Sequence, residues 1–180
     1  MNRRNVGSVF SADIIEFVTL STTYCAFVEH PEDEKTSELC KSLLKMLSAI
    51  YQKCICLSDF DVEDSDDMDD IEEYITEEQY NYVRSQISAL LGSEDDYLDT
   101  FVEEMKYSDK PILKTISEDL ADVYQALGNF VYSYQTEIES VMFIALNKVL
   151  VSFSEYWGGR LLSAVRALHE VAFNFHNEEE

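Results

Sequence analysis

Apolar residues are denser over residues 137–176 than anywhere else in the chain. Met142, Ala145, Val149, Phe153, Trp157, Leu161, Ala164, Leu168 and Val171 recur there three or four positions apart. That spacing is one face of an α-helix. The seam keeps its phase across Gly158-Gly159. A single helix over 138–176 would be about 58 Å long at 1.5 Å per residue. The kept phase supports one long, kinked helix with the glycines allowing close approach of a neighbour, but that is long for a chain of 180 residues, which favours a break or sharp kink at the glycines. This stretch is expected to form the centre of the core and the spine for the helices before it.

Helical patterns precede it. The first runs over 11–29, with Ser11 as N-cap and Asp13 in the first turn. It ends at His30-Pro31, because a residue before proline is pushed out of the α region. Thr19, Ser21, Thr22 and Thr23 are poor helix formers in its middle and need support from packing. The second runs over 32–57, with Leu39, Leu43, Leu47, Ile50, Cys54 and Leu57 on one face. The third runs over 76–91, opened by a Thr76–Gln79 capping box and closed by Gly92. A short helix is expected over 97–105, and a turn at 108–111. The fourth long helix starts near Ser117 as cap. It buries Leu120, Val123, Tyr124, Leu127, Val131 and Tyr134, and its interior Gly128 marks close packing. A break is expected near 134–136.

Only 5 glycines and 2 prolines punctuate the chain. An all-β protein of this length needs more turn residues. The expected fold is therefore all-α: one helical domain over 1–180, a bundle of about five to seven helices. An acidic loop over 58–75 separates helices two and three, and the tail at 177–180 is expected to fray.

Charge narrows the partners. The net charge of -23 works against nucleic acid and anionic membranes, which are bound by basic patches. A basic protein or a cation remains electrostatically allowed. No run of about 18 uncharged residues exists to span a membrane. The first residues lack the apolar core of a secretory signal. A soluble, cytoplasmic protein is expected. Its cysteines, Cys25, Cys40, Cys54 and Cys56, form no C-x-x-C and are expected to be reduced and mostly buried.

The acidic run is the most unusual composition. Ten of the fifteen residues over 59–73 are acidic. An EF-hand loop needs a glycine at its sixth position. Frames starting at Asp59 and Asp61 place Asp64 and Asp66 there. No dedicated metal site is expected, only weak nonspecific divalent-cation binding at Asp59, Asp61, Glu63, Asp64, Asp66 and Asp67.

No catalytic constellation emerges. His169-Glu170 lacks the second histidine of H-E-x-x-H, and no Glu-x-x-His pair of a di-iron bundle exists. There is no P-loop, no G-x-G-x-x-G and no G-x-S-x-G. No cofactor is implied, and the chain reads as a non-enzyme. Trp157, Arg160, Arg166 and His169 remain as a candidate binding surface. Their plain reading is a buried or half-buried Arg–Glu pair with a hydrogen-bonded histidine.

Trp157-Gly158 through Arg166-Ala167-Leu168-His169, with 120–124 and 13–18 upstream, resembles a bacterial family known only as a domain of unknown function. The resemblance spans most of the chain and implies a small, acidic, all-helical protein. It brings no activity, and its motifs are packing motifs. The function the sequence favours is a non-enzymatic protein-interaction module, an adaptor or regulator. The alternative is a chaperone-like or small-ligand-binding protein with a pocket near Trp157.

Overall fold

The computed structural model describes residues 8–31, 35–58, 71–99 and 111–174. Six helices appear in order: α1 (Ala12–Glu29), α2 (Thr36–Leu57), α3 (Glu77–Leu91), α4 (Ile116–Tyr134), α5 (Glu139–Ser152) and α6 (Gly158–Asn174). Two short strands, β1 (Asp96–Asp99) and β2 (Ile112–Thr115), pair antiparallel between α3 and α4. The fold is thus predominantly all-α, as the periodicity predicts. The acidic run over 59–70, with all six weak cation positions, lies outside the described residues. So do 100–110, His176 and the tail at 177–180.

Buried side chains from all six helices form one apolar cluster. Its hub is α4, which packs on α1, α3, α5 and α6, while α2 packs on α1 and α6. The spine expected of residues 137–176 is therefore shared with α4. The reason is visible in burial. Leu120, Ala121, Val123, Tyr124, Leu127 and Phe130 are all buried and cover about half of the helix circumference. So wide a buried face lets one helix pack on several neighbours at once.

Local chemistry explains the helix ends and the unusual residues. Thr76 Oγ1 accepts from Gln79 N at 3.2 Å, and Gln79 Oε1 accepts from Thr76 N at 2.9 Å, completing the capping box. Gly92 follows at φ +57°, a conformation that disfavours a Cβ. The Ser/Thr run in α1 is tolerated because Thr19, Ser21, Thr22 and Thr23 donate their hydroxyls to carbonyls four residues back, each at 2.8 Å. Gly128 has the close contact expected of it: a Cβ there would meet Ile75 Cδ1 at 2.7 Å. The break after Tyr134 is also present, with Glu137 at φ +58°. Cys25, Cys40 and Cys54 are buried, and Cys56 is exposed. Burial pushes the Cys25 and Cys54 thiols up to about 12, which keeps them unreactive.

At Gly158-Gly159 the structure takes the other branch of the expectation. The chain remains helical, and the irregularity is a π turn over Phe153–Trp157, ahead of the glycines. Gly158 itself is helical at φ −63°, ψ −38°. Its role is steric. A Cβ on Gly158 would lie 2.4 Å from the Phe153 carbonyl oxygen and 2.9 Å from the Phe153 ring. A wider helical turn brings that carbonyl close to the chain five residues on, and only glycine leaves room. A Cβ on Gly159 meets nothing within 4 Å. Gly158→Ala is expected to cost about 1–3 kcal/mol. Gly159→Ala should be neutral or stabilising by up to about 1 kcal/mol through helix propensity. Urea denaturation of the two variants checks this; equal effects would refute the steric role.

The helix expected over 97–105 is corrected at its described end. Asp96–Asp99 is a strand paired with Ile112–Thr115, with Tyr97 opposite Lys114 and Leu98 opposite Leu113. The usual pattern is inverted: Asp99 is buried, while Leu98 and Leu113 are 57% and 64% exposed. Ser117 does not cap α4 either. Thr115 does so, accepting from Glu118 N at 3.3 Å. Ser117 instead gives its N–H and hydroxyl to the two oxygens of buried Asp95, both at 2.7 Å.

Candidate functional site

The four residues proposed from sequence do not form one surface. Trp157 is fully buried. Its indole N–H donates to the Val149 carbonyl at 2.9 Å, and its ring packs edge-on to Phe153 at 4.9 Å. Arg166 and His169 are exposed on α6, and His169 lies against Phe173 with ring centroids 4.8 Å apart. Arg160 turns away toward α4. The buried ion pairing expected of an arginine on this element therefore falls to Arg160, and its partners are aspartates of α4.

Those aspartates belong to a polar cluster that sequence reasoning missed. Strand alternation points Tyr97 and Asp99 of β1 and Lys114 of β2 to the same side of the sheet. There they meet Asp119 of α4, which is 1% exposed. Tyr97 donates its hydroxyl to Asp119 Oδ2. Arg160 Nη1 lies 3.4 Å and Lys114 Nζ 3.8 Å from Asp119 Oδ1. Lys114 Nζ also pairs with Asp99 Oδ2 at 3.0 Å, and Ser163 donates to that same oxygen at 3.3 Å. One helical turn on, Asp122 accepts from Tyr80 and Tyr156, each at 2.8 Å, and faces Arg160 Nε at 3.4 Å. The sequence did carry a signal: Asp95, Tyr97 and Asp99 alternate, as one face of a strand does.

Burial pushes the Asp119 carboxyl up to about 6, against the opposing pull of Tyr97, Lys114 and Arg160. Such a carboxyl has the affinity of a general acid or base. Here both its oxygens are already engaged, by a hydroxyl and two cations. The arrangement compensates charge and ties the sheet to α4 and α6.

Asp119 and Trp157 line neither of two grooves that open on the described surface. The first, about 180 Å³, runs between α4, α5 and residues 71–73. Glu72, Glu73 and Asp122 line it with Lys148, which lies 3.9 Å from Glu73. Buried Ser133 also lines it, with an Oγ that finds no partner. The second, about 380 Å³, lies between the end of α1, the start of α3 and α4. Glu29, Glu78, Tyr82, Tyr124 and Tyr132 line it, and no lysine or arginine does so among the described residues. No group of three or more His, Cys, Asp or Glu side chains able to hold a metal occurs among the described residues. No described helix is long and apolar enough to cross a membrane.

A mainly helical protein with a closed buried polar cluster and two acidic surface grooves is the class these features define. The chain belongs to the family described as a domain of unknown function, DUF5063, which it matches over residues 8–174. It is similar to a solved structure, protein BF1032 from Bacteroides fragilis, a structural genomics target. The two share 32% sequence identity and a TM-score of 0.77, over 93% of this chain and 96% of that one. No curated protein matches. Neither the family nor this relative carries a stated activity.

Proposed function

We propose that the protein is a non-enzymatic helical interaction module, an adaptor or regulator acting in the bacterial cytoplasm, whose partner is a basic protein. One observation carries this reading: the concave surfaces are acidic. Glu29 and Glu78 line one groove without a lysine or arginine among the described residues, and Glu72, Glu73 and Asp122 outnumber Lys148 in the other. The chain as a whole has 36 acidic against 13 basic side chains. A field of that sign speeds encounter with a basic partner and repels acidic ones. The buried acids support the same reading, since Asp95, Asp99 and Asp119 are each spent on an internal partner. A bacterial setting agrees with the Bacteroides relative.

The test is capture from native lysate on the immobilised full chain, at about 50 mM and about 200 mM salt. A discrete basic protein retained at the lower salt and largely released at the higher is the expected result. No specific partner at either salt would overturn the proposal.

A further inference from the structure

We infer that the groove between the end of α1, the first turn of α3 and α4 is a binding site for an alkylated ammonium head group of the trimethylammonium type. This rests on the reading above that the partners are cationic, and it names the chemistry one groove selects. Tyr82 and Tyr132 line the groove while 50% and 40% exposed. Large aromatic side chains left this open, on two different helices, converge on one depression. The Tyr132 ring is braced by stacking on Tyr74, with centroids 5.7 Å apart. Tyr124 sits at the base, almost fully buried, and gives its hydroxyl to Glu29 Oε1 at 2.7 Å. Its orientation, and that of Glu29, are thereby fixed before any ligand arrives.

Two sources of negative potential meet there. Aromatic faces attract cations through the ring quadrupole. Glu29 and Glu78 add two carboxylates. The helix ends at the groove offset each other, the negative pole of α1 against the positive pole of α3, and His30, the C-cap of α1, also lines it. A bare ammonium is strongly hydrated and loses that water on meeting a ring. A trimethylammonium group carries its charge on methyls that make van der Waals contact with aromatic faces, the basis of aromatic cages. The volume, about 380 Å³, falls within the usual range for small-molecule sites, roughly 300–1,000 Å³. The smaller groove beside Ser133 falls below it and contains Lys148, which opposes a cation. Two sources offer the head group: a free choline-like amine, or a trimethylated lysine side chain on a protein.

Titration of the full chain followed by NMR or calorimetry, at about 150 mM salt, tests the site. The probes are choline chloride, a blocked trimethyllysine amide, and neopentyl carbinol, the neutral isostere of choline. At least one cation is expected to saturate a single site with a dissociation constant on the order of 1 mM. The neutral isostere should bind about ten-fold more weakly. Tighter binding of choline points to a free amine, and tighter binding of the amide to a protein side chain; either supports the site. Tyr82 is a surface position, so its variants should stay folded. Tyr82→Phe keeps the π face and should keep the affinity; Tyr82→Leu should lose about ten-fold. Equal binding of the isostere, wild-type affinity in Tyr82→Leu, or no saturation by either cation would overturn the inference. A null result here leaves the lysate experiment standing, because capture of a basic protein does not require an alkylated amine.

Discussion

Asp119→Ala is expected to lower the folding free energy by about 3 kcal/mol at pH 7. Breaking a buried ion pair by removing one partner typically costs about 3–5 kcal/mol, because it strands the other charge. The low end applies here because neither cation is left wholly alone. Lys114 keeps Asp99 at 3.0 Å, and Arg160 keeps Asp122 at 3.4 Å. Tyr97 loses the acceptor of its hydroxyl. The loss should also depend on pH, in a direction set by the raised carboxyl. Burial lifts Asp119 from 3.8 to about 6. Its folded form therefore holds a proton that the unfolded form has released. The resulting stability is fully present below about pH 4 and is lost as pH rises through about 6. The whole chain also gains from acid, through reduced self-repulsion. The informative quantity is therefore the difference between wild type and Asp119→Asn, which does not titrate. That difference should favour wild type more strongly at pH 4 than at pH 7. A pH-independent difference, or a cost below about 1 kcal/mol for Asp119→Ala, would show that the cluster does not tie the sheet to the helices.

Trp157→Ala should be as damaging, by about 3–5 kcal/mol, the usual cost of emptying a large buried aromatic site. The side chain is fully buried, packs on Phe153 at 4.9 Å and gives its N–H to Val149 at 2.9 Å. It sits at the last position of the π turn, so the void would open where α5 passes into α6. Trp157→Phe should retain part of the packing and lose the hydrogen bond, falling between wild type and alanine. Urea denaturation measures both. Near-wild-type stability in Trp157→Ala, with lost ligand or partner binding, would instead restore this residue to the role of a surface anchor.

These two residues show what the sequence does and does not reveal. Helix ends were legible where their chemistry is local, as at Thr76 with Gln79 and at Pro31 after α1. Gly128 was legible because a glycine inside a strong apolar seam marks a point where a neighbour comes close. Trp157 falls on the buried seam, yet the same pattern also allows a surface anchor; periodicity gives a face but not its degree of exposure. The sheet escaped because its pattern is inverted. A hydrophobicity argument puts Leu98 and Leu113 inside and Asp99 outside, and the structure does the reverse. What decides is Lys114 and Arg160, which arrive from distant parts of the chain and offset part of the cost of burying Asp99 and Asp119. Such compensation is a long-range property, so no local window contains it. The same applies to the grooves: Glu29, Tyr82 and Tyr132 come together only when α1, α3 and α4 pack.

The most direct measurement of the central claim is the equilibrium dissociation constant of the captured basic partner as a function of salt. An acidic interaction surface predicts weakening of at least about ten-fold between about 50 mM and about 300 mM salt, carried mainly by slower association. An affinity that does not change with salt, or a partner as acidic as the protein itself, would contradict it.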